Sequence, residues 1–135
     1  GEEKLARTIA GAIVGTRRVR PFTTVGDVSR VVGEVVRDAR LRIGTLARVF
    51  QAIRIAVNDE LGALKDGLRG AAAVVRSGGR VAGLSYHSLE DRIVKREIRR
   101  LGLRSMNKRP MTPSDTEIRE NSRSRSAKLR VAQKI

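Results

Sequence analysis

The stretch "RVAGLSYHSLEDRIVKREIRR", Arg80–Arg100, decides the fold. Its first six residues, Arg80–Ser85, are short and mostly apolar, which suits a strand in the buried interior of a mostly parallel sheet. Gly78-Gly79, just before it, supplies the cap and turn that close a preceding helix. After Ser85 the pattern changes. Ser88 and Asp91 stand at capping-box spacing, S-x-x-D, which predicts a helix opening at Ser88 and running through about Arg100. Leu89, Ile93, Ile98 and Leu101 then point inward, while Asp91, Arg92, Lys95, Arg96 and Arg99 face solvent. A strand feeding a helix marks an α/β fold. Its chemistry gathers at the carboxyl ends of the strands. This end carries the only tyrosine, Tyr86, and the only histidine, His87.

Upstream, "EEKLARTIAGAIVGT" (2–16) puts Leu5, Ile9, Ile13 and Val14 at helical spacing, and Pro21 follows a basic break. Thr24 with Asp27 forms a second capping pattern, ahead of a stripe of Val25, Val28, Val32, Val35 and Val36. The two segments predict a helical hairpin. From Thr45 to Gly79 one long helix is expected, broken near Gly62 or Gly67, with Leu46, Val49, Phe50, Ile53, Val57, Leu61, Leu64 and Leu68 on one side. Downstream, Ser114 and Glu117 cap a very short helix. "SAKLRVAQKI" (126–135) alternates as a half-exposed strand, Leu129 and Val131 on one face, Lys128 and Arg130 on the other. Two clear strands do not make a stable sheet. The chain is therefore expected to be part of a larger α/β domain.

The chain has 135 residues, enough for one modest domain. Apolar residues make up 40%, so disorder is not the default, and aromatics only 2%, so Val, Leu, Ile and Ala must fill the core. The absence of cysteine excludes a disulfide framework and thiolate-bound zinc, and fits a reducing compartment. With one His and no carboxylate cluster at ligand spacing, no metal is expected. No apolar run approaches the roughly 20 residues that span a bilayer, so no membrane partner is expected. The chain opens at Gly1 rather than Met, and a preceding segment is expected. Against 14 acidic residues stand 29 Lys and Arg, a net +15. A field of that sign attracts polyanions, RNA above all.

Four blocks, "VFQAIRIAVNDEL" (49–61), "LSYHSLEDRIVK" (84–95), "KRPMTPSDTEI" (108–118) and "ENSRSRSAKLRVAQ" (120–133), carry a resemblance. In order and spacing they resemble the C-terminal half of the MraW/RsmH-type rRNA small-subunit (cytosine-N4)-methyltransferases. "GEEKLARTIAGAIV" looks like that family's inserted helical domain. The resemblance implies the second half of a Rossmann-like class I methyltransferase sheet at 45–135, preceded by the end of the helical insert at 1–44. It implies methyl transfer from S-adenosylmethionine to N4 of a cytidine in 16S-type rRNA. It also implies that the cofactor-binding residues lie upstream of Gly1, so none is expected in this chain and the chain alone is not expected to bind the cofactor. The implied partners are small-subunit rRNA or a ribosomal particle, with the preceding half of the protein or other assembly factors. The implied compartment is the bacterial cytoplasm, or the mitochondrial matrix or plastid for an organellar member. The alternative, favoured by the charge and the absent cofactor loop, is a truncated, inactive relative kept as an rRNA-binding assembly or structural component, mitoribosomal among other settings. Three departures stand out: Ile43-Gly44-Thr45-Leu46-Ala47 replaces a His-Pro-Ala-Thr-like run, Glu97-Ile98 replaces aromatics, and Ser122 replaces a proline. The first puts in doubt what that loop contributes near the active site.

No residue is assigned as the catalytic base. On the substrate side, Tyr86 either stacks on a base or packs as a rim aromatic. His87 either meets phosphate, relays a proton or bonds backbone at the helix entry. Ser88 is read chiefly as the N-cap, and Asp91 as part of the cap and a partner of Lys95 four residues on. Arg54 and Asn58, off the apolar stripe of the long helix, are candidates for the active-site side or a domain junction. Arg92, Lys95, Arg123, Arg125, Lys128 and Arg130 are the RNA-phosphate candidates, against a plain solvated basic edge.

Overall fold

The computed structural model describes residues 3–135. They form six α-helices, a 3-10 turn and three short strands, and they divide into two compact units, one ending at Asn58 and one spanning Asp59–Ile135.

The first unit is helical: α1 (Ala6–Val19), α2 (Val25–Val35) and α3 (Ala39–Asn58). The expected hairpin of α1 and α2 is present, ended and restarted where the sequence requires. Pro21 forbids continuation of α1. Thr24 then caps α2, its hydroxyl accepting from Asp27 N while the Asp27 carboxylate accepts from Thr24 N at 2.9 Å and Thr23 N at 3.1 Å. Those backbone donors hold the Asp27 carboxyl down at about 2. Ile9, Val32, Val36 and Val49 form the buried cluster. Arg42 closes the other end of α2, donating at 3.0 Å to Val36 O, the C-cap carbonyl that a helix leaves unpaired, and at 2.9 Å to Arg37 O just beyond it.

The long helix is interrupted at Asp59, not at Gly62 or Gly67. Asp59 adopts a left-handed φ of 47°, a conformation that Asp tolerates better than most residues, and α4 (Glu60–Val74) begins after it. Gly62 takes part indirectly: a Cβ there would collide with the Asp59 carboxylate.

The second unit packs α4 and α5 (Ser88–Arg100) on one face of an antiparallel sheet ordered β1 (Arg80–Ser85), β3 (Lys128–Gln133), β2 (Arg104–Ser105). β1 and β2 run the same way, joined through α5, and β3 returns between them. That reversal is why the described strands pair antiparallel, where the sequence suggested a parallel interior. α6 (Asp115–Glu120) is capped by Ser114 as expected, and a 3-10 turn (Ser122–Ser126) leads into β3.

The core joins Leu68 and Ala72 of α4, Val81 of β1, Val94 and Ile98 of α5, Leu103, and Ala132 of β3. β3 alternates as expected, but its Arg130 face is the buried one. Ala132 and Arg130 lie beneath the helices, Arg130 held there by its ion pair with Asp91, and Leu129 and Val131 occupy the other sheet face. α5 ends in a Schellman motif: Gly102, at φ 67°, donates to Arg99 O and Leu103 N donates to Ile98 O. Lys134 donates to Ala72 O at 2.8 Å, closing the end of α4.

Gly83 of β1 sets the approach of α5. A Cβ there would stand 2.9 Å from Val94 Cγ1, and Val94 is buried and β-branched, with no room to move. Gly83→Ala should lower stability by about 1–3 kcal/mol in chemical denaturation, the usual cost of overpacking. An unchanged midpoint would contradict the close packing of α5 on β1.

Candidate functional site

The carboxyl end of β1 brings together Tyr86, His87, Ser88 and Asp91 from the sequence-predicted set beside Ser85, to which Lys128 is paired across the ladder. Ser85 is buried and donates to Lys128 O at 3.3 Å, so β1 stays in register to its last residue. Alternation then sends Tyr86 outward, where it is 52% exposed. A half-exposed ring at this rim is free to stack on a planar group.

The helix entry lies one residue earlier than the S-x-x-D spacing suggests. The N-cap is His87, not Ser88. Its Nδ1 accepts from Glu90 N at 3.3 Å, and the Glu90 carboxylate accepts from His87 N at 3.3 Å and from Tyr86 N at 2.9 Å. This is a capping box built by His and Glu rather than Ser and Asp. Its negative end meets the positive end of the helix dipole. His87 Nε2 is buried without a hydrogen bond, 3.3 Å from Glu90 Oε1.

Glu60 of α4 completes a trio with His87 and Glu90, their ligand-type atoms within 4.8 Å of one another. Sequence spacing could not show this, since Glu60 arrives from another helix. Glu90 is already engaged by two backbone donors, so the trio is first of all a structural cap.

Asp91, released from the cap, makes a different contact from the expected one with Lys95. It receives Arg130 through Nε at 2.7 Å and Nη2 at 3.1 Å. The side chains are 15% and 8% exposed. The Arg130 hydrogen bonds hold the Asp91 carboxyl below its ordinary range, with the fields of Arg130, Lys128 and Lys95 adding to the effect. Arg130 is thus not on an exposed basic edge: its guanidinium is spent beneath α5, anchoring helix to strand. An Asp so engaged is a poor proton acceptor.

Arg92 and Lys95 are exposed on α5, and Arg123 and Arg125 on the 3-10 turn, flanking the buried Ser124, whose hydroxyl donates to Asn121 O at 2.8 Å. Arg54 and Asn58 are exposed near the end of α3, in the first unit. Sequence reasoning missed Glu97, a buried acid that pairs with Arg100 at 2.7 Å and with Arg69 of α4 at 3.8 Å. The Arg100 hydrogen bonds lower its pKa. The available signal was an acid inside an otherwise apolar helical stripe.

The cap assignment is testable by substitution. His87→Ala should cost about 1 kcal/mol, the typical loss of an N-cap. Ser88→Ala should change stability by less than about 0.5 kcal/mol, as at an ordinary surface position. The reverse order in thermal unfolding would restore Ser88 as the cap.

Comparison with known proteins bears on all of the chain. The family model described as MraW methylase family matches residues 1–135. The Deinococcus deserti protein named ribosomal RNA small subunit methyltransferase H is 48% identical, covering 100% of this chain and 45% of its own length. Proteins of that name from Neorickettsia sennetsu and Persephonella marina are 43% and 47% identical, again across 100% of this chain, and 47% and 48% of their own lengths are covered. The chain spans about half the length of the curated relatives it matches. With a β1-to-α5 turn, basic surfaces and an end-to-end match, the chain belongs to the MraW methylase family.

Proposed function

We propose that this chain is the C-terminal part of an S-adenosylmethionine-dependent methyltransferase that modifies N4 of a cytidine in small-subunit rRNA. The observation that carries the reading is the family match over every residue, together with relatives named as small-subunit rRNA methyltransferases. In this reading residues 1–44 end a helical insert, and residues 45–135 form the second half of a Rossmann-like sheet. The reading implies a cytoplasmic enzyme in a bacterium.

The residues present do not fit the cofactor. A Gly-rich loop that cradles one follows a strand and opens a helix. Here Gly78-Gly79 precedes β1, and a Cβ on Gly79 would strike Val75 Cγ2 at 2.5 Å and Arg76 O at 2.9 Å, so the turn is packed against the end of α4. In this reading, cofactor binding falls to the rest of the full-length protein.

What these residues offer is the substrate side. The cytosine N4 lone pair is delocalised into the ring, so the amine must be oriented before it will attack. Tyr86 supplies a stacking surface at the strand end. His87, Ser88 and Asp91 shape the turn beneath it, with Asp91 acting as a positioning residue through Arg130. Arg54 and Asn58 belong to the substrate side of the first unit. Arg92, Lys95, Arg123, Arg125 and Lys128 supply positive charge for the RNA backbone.

The test is methyl transfer by the full-length protein from labelled S-adenosylmethionine to unmodified small-subunit rRNA or subunits. Label recovered in N4-methylcytidine is expected. Label in another nucleoside, or none in the presence of bound cofactor, would contradict the reading.

A further inference from the structure

A cavity of about 410 Å3 opens in the second unit, lined by Lys95, Ile98 and Arg99 of α5, Leu103, Ser105 of β2, Lys108 and Arg130. Ile98, Leu103 and Arg130 are buried and make its floor, while Lys95, Arg99 and Lys108 are exposed at its rim.

The charge of this cavity is unbalanced. No carboxylate lines it. Arg130, in the floor, is neutralised by Asp91. Among the described residues no acid lies within ion-pair distance of Lys95, Arg99 or Lys108. On the other side of α5, by contrast, Arg69 and Arg100 share Glu97. Lys95 and Arg99 are four residues apart on one helix face, a like-charge spacing that disfavours the helix unless something neutralises it. The third cation comes from a different element. The loop that carries Lys108 is held in place, with Ser105 Oγ donating to Asn107 O at 2.8 Å and Met106 N to Val131 O at 2.9 Å. Three cations from two elements thus converge on one concavity with an apolar floor.

We propose that this cavity holds a backbone phosphate of the substrate RNA, bound by Lys95, Arg99 and Lys108, with the adjoining ribose over Ile98 and Leu103. The choice of RNA as the polyanion rests on the function proposed above. The lining contains no aromatic ring, so there is nothing for a base to stack on. Phosphate contacts of this kind fix the register and orientation of the RNA. Arg99 and Lys108 are additions to the sequence-derived phosphate set, and Arg130 serves the site from below by fixing its floor.

The test uses the full-length protein, small-subunit rRNA and a salt series between about 50 and 200 mM, where phosphate contacts dominate the dependence. Lys95→Gln/Arg99→Gln/Lys108→Gln should weaken binding about tenfold and make the log–log salt slope shallower by about one. Arg17→Gln/Arg18→Gln/Arg20→Gln, an equal charge change on the first unit, should leave that slope close to wild type. Lys108→Gln alone, in a loop outside the core, should show part of the effect with an unaltered melting curve, and it decides the matter should the triple variant misfold. An unchanged slope in these cavity variants, or an equal loss in the control, overturns the proposal. Loss of rRNA binding in the cavity variants, with no methyl transfer by wild type, would leave the phosphate site standing and remove the enzymatic reading. Methyl transfer with an unaltered slope would do the opposite.

Discussion

The bidentate contact between Asp91 and Arg130 is the constraint on which the second unit depends. It joins the first turn of α5 to the central strand of the sheet, at 2.7 and 3.1 Å and almost out of water. Two charges buried together gain from their attraction, but either one alone would be left desolvated and uncompensated. The pair therefore fixes the orientation of α5 over β3 more than it adds net stability. That orientation carries the rest. It sets the turn at the end of β1 from which Tyr86 projects, and it places Lys95 and Arg99, on the same face of the helix, at the rim of the basic cavity.

Other contacts reinforce the same placement. Gly83 lets α5 come within van der Waals reach of β1 through Val94. Glu97 draws Arg69 of α4 toward the other side of α5. The Gly102 turn lets Leu103 fold back into the core beside Ile98. With so few aromatics, the core gains its packing from close approach of backbones rather than from large side chains, and so small residues such as Gly83, Ala72 and Ala132 sit where elements meet.

Much of this was legible in the sequence: the hairpin, the strand-to-helix turn, the Thr24 and Ser114 caps and the family. The misreadings have definite causes. H-x-x-E and S-x-x-D overlap by one residue in "HSLED", and a cap scale that favours Ser over His chooses the wrong register; what decides is that β1 holds its ladder through Ser85. The alternation of β3 was legible, but Arg130 was expected on an exposed basic edge, and it is the ion pair with Asp91, contributed by another element, that buries it beside Ala132. Asp59 breaks the long helix without Gly or Pro, through a left-handed backbone that periodicity does not register. The Lys95–Arg99–Lys108 and Glu60–His87–Glu90 groupings join residues from separate elements, and nothing along the chain marks them as neighbours. The substrate-side residues at the β1 end are adjacent in sequence, which is why they could be named in advance.

A double-mutant cycle on Asp91 and Arg130 tests the central constraint most directly. Unfolding free energies would be measured near neutral pH for the wild type, Asp91→Asn, Arg130→Met and the double variant. The lowered Asp91 pKa means the coupling is fully present above the carboxyl's ordinary value and is lost as pH falls through the lowered one. A coupling of about 2 kcal/mol or more is predicted, as for neighbours in one buried network. A coupling below about 0.5 kcal/mol, the level at which independent sites simply add, would contradict the account.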